Sequence, residues 1–301
     1  MVGNGRTREE HLMQVATYAS TSVAGILVGV KLVAWIMTDS IALLSGLVDS
    51  LLDAAASLIN LIAVHHALQP ADPEHRFGYG KAEPLAGLGQ SAFIAGSALF
   101  LSIQAVNRLF KPVPVDNILI GVGVMALSLI LTFVLVTFQT RIIRRTRSVA
   151  ISADRLHYLG DLLGNGSILV ALGGVWLTGW PFIDPLFALL IALYILHSAG
   201  RIMTRSLNLL MDREFSERDR QRIRDIVAAE GEVIDMHDLR TRSSGPRDFI
   251  QLHLELDRSL PLWRAHEVAE RVGLRLRQAF PAADVIIHED PSGIAYDRAH
   301  A

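Results

Sequence analysis

Three stretches without a single charged residue, 85–107, 117–140 and 162–183, constrain this chain more than any other feature of its 301 residues. At about 1.5 Å per helical residue, each is long enough to cross roughly 30 Å of hydrocarbon. In lipid every backbone amide must be satisfied within the segment, so such runs fold as helices. Further apolar segments at 12–37, 41–66 and 185–210 bring the expected total to six transmembrane helices, the charged stretch 151–161 opening the fifth. From Asp212 onward the composition turns to dense charge. The expected division is therefore a six-helix membrane domain over 1–211 and a soluble domain over 212–301.

Lys and Arg in the short loops give an orientation. Arg6 and Arg8 precede helix 1, Arg76 and Lys81 lie between helices 2 and 3, and Arg141, Arg144, Arg145 and Arg147 lie between helices 4 and 5. The opposite side holds only Arg108 and Lys111, so both termini are expected in the cytoplasm. The N-terminal segment does not read as a cleaved secretory signal, because a full-length span follows its charged lead. Lys31, the one basic residue within helix 1, is expected to snorkel to the outer interface. A net charge of −2 offers no field for nucleic acid. The absence of cysteine excludes disulfides, thiolate metal sites and cysteine nucleophiles.

Within the apolar runs, Asp49 and Asp53 are four residues apart in helix 2, and His157 and Asp161 are four apart in helix 5. Each pair stacks on one helix face. Insertion scales charge a central carboxylate about 2.5–3.5 kcal/mol, so intramembrane acids default to a functional reading over a structural hydrogen bond. Two such helices can converge three carboxylates and one imidazole on a single ion, a set suited to a borderline divalent metal such as Zn²⁺. Gly160, Gly164 and Gly166 in helix 5, with Ala54–Ala56 in helix 2, allow close approach of the backbones. In the loop after helix 2, Asp72 and His75 form either a peripheral metal site or an ordinary polar turn.

The soluble part reads as a helix capped by Ser216, a strand through "IDMHDLRTR", an alternating strand "FIQLHLEL", an amphipathic helix after Leu260 and a short strand "ADVIIHED". That α-β-β-α-β order suggests a small sandwich of ferredoxin-like type. It carries His237, His253, His266, His288 and Asp290, which a sheet edge would gather into one cluster or leave as separate surface residues.

Together, "SIALLSGLVDSLLDAAASLIN", "LQPADPEHRFGYGKAEPLA", "ADRLHYLGDLLGNG", "HDLRTRSSGPRDFIQLHLEL" and "DVIIHEDP" resemble the cation diffusion facilitators, on their bacterial zinc and ferrous-iron efflux branch of the YiiP/FieF type. The resemblance implies a transport site at Asp49, Asp53, His157 and Asp161. It also implies a cytoplasmic two-metal site, with His237, His253 and Asp290 around one ion and His253, His266 and His288 around the other. A charge pair, Lys81 with Asp212, would lock the membrane part to the soluble part near the axis of a homodimer in the bacterial inner membrane. The family's loop site joins Asp72 and His75 to a histidine where this chain has Tyr79. A neutral phenol is a poor zinc ligand, so a loop site is expected to be weak or absent.

The competing reading is a membrane-embedded, Mg²⁺-dependent phosphatidyl- or prenyl-transferase, which also uses paired aspartates. Such an enzyme needs an all-oxygen shell and nearby basic residues, whereas one pair here includes His157. A metal sensor would leave both intramembrane pairs unused. The expected function is export of Zn²⁺, with Fe²⁺ second and Cd²⁺ accepted, by antiport against protons, with no organic cofactor.

Overall fold

The computed structural model describes residues 8–38, 41–110, 119–178 and 183–293. Arg6, Lys111 and most of the link after the fifth helix lie outside the described residues, so the orientation argument rests on the remaining basic residues. The chain forms two compact units, residues 1–207 and 208–301.

The first unit holds α1 (Arg8–Thr38), α2 (Ile41–Ala67), α3 (Ala82–Phe110), α4 (Leu119–Thr146), α5 (Val149–Thr178) and all but the last turn of α6 (Ile183–Leu210). Among the described residues, five of these are long and apolar enough to cross a membrane; α5 carries Asp154, Arg155 and Asp161 in its first half and no charged residue from 162 to 178. Bulky apolar side chains such as Ile36, Ile59, Ile130 and Phe133 are exposed along the helices. Lipid contact accounts for such a surface, which water would penalise.

α5 is the organising helix. Its Ala150 and Ile151 pack with Met13 and Ala16 of α1, Val64 of α2 and Ile142 of α4. One turn on, Leu156 joins Ile94 and Ala98 of α3 and Ile195 and Ala199 of α6, while Tyr158 joins Leu135 and Val136 of α4. Only Arg147 and Ser148 separate α4 from α5. Arg141, Arg144 and Arg145 therefore ride on the end of α4 instead of forming a loop. Arg147 takes a positive φ of 52° to make that corner. The free N–H groups of the new helix are met by side chains: Ser148 Oγ accepts from Ile151, and Glu83 of α3 accepts from Val149 at 2.8 Å.

The second unit holds α7 (Glu217–Ala228), β1 (Val233–Ser243), β2 (Asp248–Leu256), α8 (Leu262–Ala279) and β3 (Ala283–Pro291). Ser216 caps α7 by accepting from the Asp219 amide. The sheet order is β1-β2-β3, with β1 antiparallel and β3 parallel to β2, α8 forming the crossover. On β2, Ile250, Leu252, Leu254 and Leu256 point to a core with Ile223 and Val227 of α7 and Val268, Val272 and Leu276 of α8. The opposite sheet face carries Gln251, His253 and Glu255, because successive strand residues alternate. This is the α-β-β-α-β order expected from the sequence.

Candidate metal centres

In the membrane unit, α2 and α5 bring Asp53, His157 and Asp161 together, one donor atom of each lying within 4.8 Å of the others. His157 Nε2 is 2.8 Å from Asp53 Oδ1 and 3.9 Å from Asp161 Oδ2. The His157 ring is fixed edge-on against Tyr158, with centroids 5.6 Å apart, and faces Phe93 of α3. Asp49, one turn earlier on α2, is exposed and stands outside this group. Close packing helps the two helices meet a third neighbour: a Cβ at Gly160 would lie 3.2 Å from Ile195 of α6.

Lys31 departs from expectation. Instead of snorkelling outward, its ammonium donates to Ser50 Oγ at 2.6 Å and to the Gly46 carbonyl at 3.1 Å, both on α2. An ammonium in apolar surroundings takes the nearest acceptors, and the α2 turn beside the aspartates supplies them.

In the loop, Asp72 is occupied by its own turn. Its Oδ1 accepts the amides of Glu74 and His75, and its Oδ2 accepts the Tyr79 hydroxyl at 2.6 Å. The Tyr79 hydrogen bond, with those amides, holds the Asp72 carboxyl below its ordinary range, and the same bond raises the Tyr79 phenol. His75 stacks at 4.3 Å on Tyr79. The geometry is that of a closed Asx-type turn.

The soluble unit builds its cluster from strand register. His237 of β1 pairs across to His253 of β2, and His253 to His288 of β3, giving one row of histidines across the sheet. Asp290, two residues beyond His288 and only 3% exposed, lies beneath that row. Its Oδ2 lies 2.8 Å from His253 Nδ1 and 3.2 Å from His237 Nε2, and its Oδ1 is 3.2 Å from His288 Nε2. His237, His253 and Asp290 meet the same 4.8 Å criterion as the membrane group. Two imidazoles and a carboxylate fit the donor preferences of Zn²⁺. His266 is not in the row: it sits on α8, is 67% exposed, and has Glu289 as its near acid at 3.9 Å.

Asp238 escaped the sequence reading. It follows His237 at a register irregularity of β1, with φ of 49°, and its carboxylate lies 3.7 Å from His253 Nε2 while accepting from Arg240. A histidine followed directly by an acid was the available signal. Of the proposed charge pair, Asp212 has Arg242 Nη1 at 3.4 Å within its own unit.

Residues 17–211 match the model of the cation efflux transmembrane domain, and residues 215–292 match that of the cation efflux protein cytoplasmic domain. The chain belongs to the cation efflux family. It is a transporter and not an enzyme, which removes the transferase reading. Among relatives, the cation-efflux pump FieF of Salmonella choleraesuis (strain SC-B67) is 50% identical over 283 residues, 94% of each chain, and that of Salmonella typhimurium (strain LT2) has the same values. Among solved structures, CzrB in its Zn form is 32% identical over 28% of this chain and 98% of that one, with a TM-score of 0.27. The metal-bound C-terminal domain of the CzcD transporter from Thermotoga maritima is 24% identical over 27% of this chain and all of that one, with a TM-score of 0.24.

Proposed function

We propose that this cation efflux protein exports a divalent metal from the cytoplasm in exchange for protons, with Zn²⁺ preferred, Fe²⁺ next and Cd²⁺ accepted. The observation that carries the reading is the convergence of Asp53, His157 and Asp161 from two helices onto one point. The imidazole makes that set softer than an all-oxygen site and favours Zn²⁺ over Mg²⁺ or Ca²⁺. Asp49 would complete four ligands once an ion draws α2 and α5 together.

Proton coupling follows from the ligand chemistry. Metal needs carboxylates and a neutral imidazole, so loading displaces protons and release lets them return. His157 is the natural carrier, as a free imidazole titrates near ~6.5. An inward proton gradient then strips the metal on the outer side. In this reading residues 1–211 are the transport domain and 212–301 a cytoplasmic dimerisation domain of an inner-membrane homodimer. His237, His253, His266, His288 and Asp290 hold structural metal there, and Lys81 with Asp212 ties the two domains.

The test is metal uptake by proteoliposomes across Zn²⁺, Fe²⁺, Cd²⁺ and Mn²⁺, with and without an imposed pH gradient. Zn²⁺ flux is expected to rise when the gradient opposes metal movement. Flux indifferent to the gradient would replace antiport with passive facilitation.

A further inference from the structure

Asp154 belongs to neither metal centre. It lies on α5 one turn before His157 and is 1% exposed. Three other helices reach its carboxylate. Gln139 Nε2 of α4 donates to Oδ2 at 2.6 Å, Gln90 Nε2 of α3 lies 3.4 Å from Oδ1, and Ser57 Oγ of α2 lies 3.5 Å from the same oxygen. Tyr158, one turn on, shares a 2.8 Å hydrogen bond with Ser57 and reaches the Ser20 carbonyl of α1. The titratable groups facing Asp154 are His157 and Tyr158 of its own helix, while α1 to α4 present Ser20, Ser57, Gln90 and Gln139. Among the described residues no Lys or Arg pairs with it, and neighbouring Arg155 turns instead to Thr140.

A buried carboxylate without a counter-charge is costly unless something neutralises it. A second observation shows where that something sits. The Oε1 atoms of Gln90 and Gln139, the two amides that hold Asp154, are buried with no hydrogen-bond partner. Asn60, one turn from Ser57 on α2 and equally buried, has neither amide atom paired. Buried amide oxygens are seldom left so. One acid held through Nε2 by two amides whose own oxygens are idle, and which a turn of each amide would bring to bear, is the complement of one small cation that wants oxygen.

We propose that Asp154, with Gln90 and Gln139, forms a monovalent-cation site in the heart of the bundle, separate from the metal centre. The shared chemistry is a single positive charge held by carboxylate and amide oxygens, supplied as a proton or as Na⁺. For a proton, the acid O–H donates to a glutamine that turns its Oε1 inward. For Na⁺, both amides turn so that the same oxygens become ligands beside the carboxylate. Either occupant neutralises the buried charge on the helix that carries His157 and Asp161.

Infrared spectra and flux of the full-length protein in metal-free and Zn²⁺-loaded liposomes test this. A bound proton gives a carboxylic-acid carbonyl band that shifts in D₂O, vanishes in Asp154→Asn and moves in Asp154→Glu. Bound Na⁺ gives no such band, but Zn²⁺ flux falls several-fold when Na⁺ is replaced by N-methylglucamine in the wild type and not in Asp154→Asn. A wild type with neither band nor Na⁺ dependence overturns the proposal without needing any variant to fold. So does a band that survives in Asp154→Asn. The band is expected to persist in Asp53→Asn; its loss there would assign it to the metal centre and overturn the separate site. Metal flux insensitive to a pH gradient, with the Asp154 band intact, would remove the antiport reading and leave this site standing.

Discussion

The two candidate metal clusters are built on opposite principles. In the membrane, Asp53 stands on one helix and His157 and Asp161 on another, so their meeting depends on how two rods are held against each other. In the soluble unit, His237, His253 and His288 share one row of a hydrogen-bonded sheet, and their spacing is fixed by backbone register. Helices can shift by an ångström or two at modest cost, and a strand ladder cannot slip without exposing its core. A centre made from two helices is therefore suited to taking and releasing an ion, and one made from a sheet to keeping it.

The sharpest way to break the comparison is Asp53→Asn, which keeps size and removes a charge the metal needs. Zn²⁺ uptake into everted vesicles is expected to fall to the level of empty vesicles with the fold intact. Wild-type flux would mean that the α2–α5 group does not carry the ion.

Next is His253→Ala, which removes the middle of the sheet row. Zn²⁺ at a hundredfold over its dissociation constant stabilises a folded domain by about 2.7 kcal/mol. For a domain of this size that is roughly 4–8 °C in melting temperature per kcal/mol. The 212–301 fragment is expected to show such a rise with Zn²⁺ and to lose it in His253→Ala. His266→Ala sharpens the point: standing on α8 outside the row, it serves only one of the two ions, so part of the rise should survive. An equal loss in both variants would show that the two ions bind as one cooperative unit.

The loop supplies a smaller effect. Asp72 is already engaged by Tyr79, so Asp72→Ala is expected to change metal stoichiometry and transport little. Tyr79→His, by contrast, should add up to one bound metal per protomer in equilibrium dialysis. A lost metal in Asp72→Ala would show that the turn opens to bind one.

The smallest effect concerns the rim of the soluble unit, where Arg271 meets Glu230 at 2.9 Å and Glu232 at 2.6 Å. The Arg271 hydrogen bond holds the Glu230 carboxyl below its ordinary range. A lowered native value stabilises the fold above the ordinary carboxylate range and is lost as pH falls through the native value. Glu230 is buried but Arg271 is partly open to solvent, so screening holds the pair to about 1 kcal/mol. Arg271→Met should therefore lower the fragment's melting temperature by a few degrees at neutral pH, with the difference closing in acid. A deficit independent of pH would point to lost packing instead.

How much of this was written in the sequence depends on the range of the interaction. The spans are a matter of local hydropathy, and the alternation of "FIQLHLEL" marks its buried face, so both read directly. Asp53, His157 and Asp161 read as candidates because charge in an apolar run is anomalous wherever the helices end up. Snorkelling is a local argument for Lys31, while the partners it finds, Ser50 and Gly46, belong to another helix. Asp154 was passed over for a similar reason. It sits in the more charged opening of α5, and only the approach of Gln90 and Gln139 from two other helices makes it unusual. His266 shows the other limit: its place on α8, outside the strand row, depends on how the helix packs on the sheet, which the sequence does not state.

The row of histidines has a consequence for how the soluble unit assembles. Strand residues alternate between faces, so a β2 displaced by one position would turn His253 inward and Leu252 and Leu254 outward together. A misaligned sheet therefore loses its candidate ligands and its core in one step, and an ion bridging β1, β2 and β3 would reward only the native alignment. Metal available while the chain folds would act as a proofreader of strand pairing, independent of any later part it plays in transport.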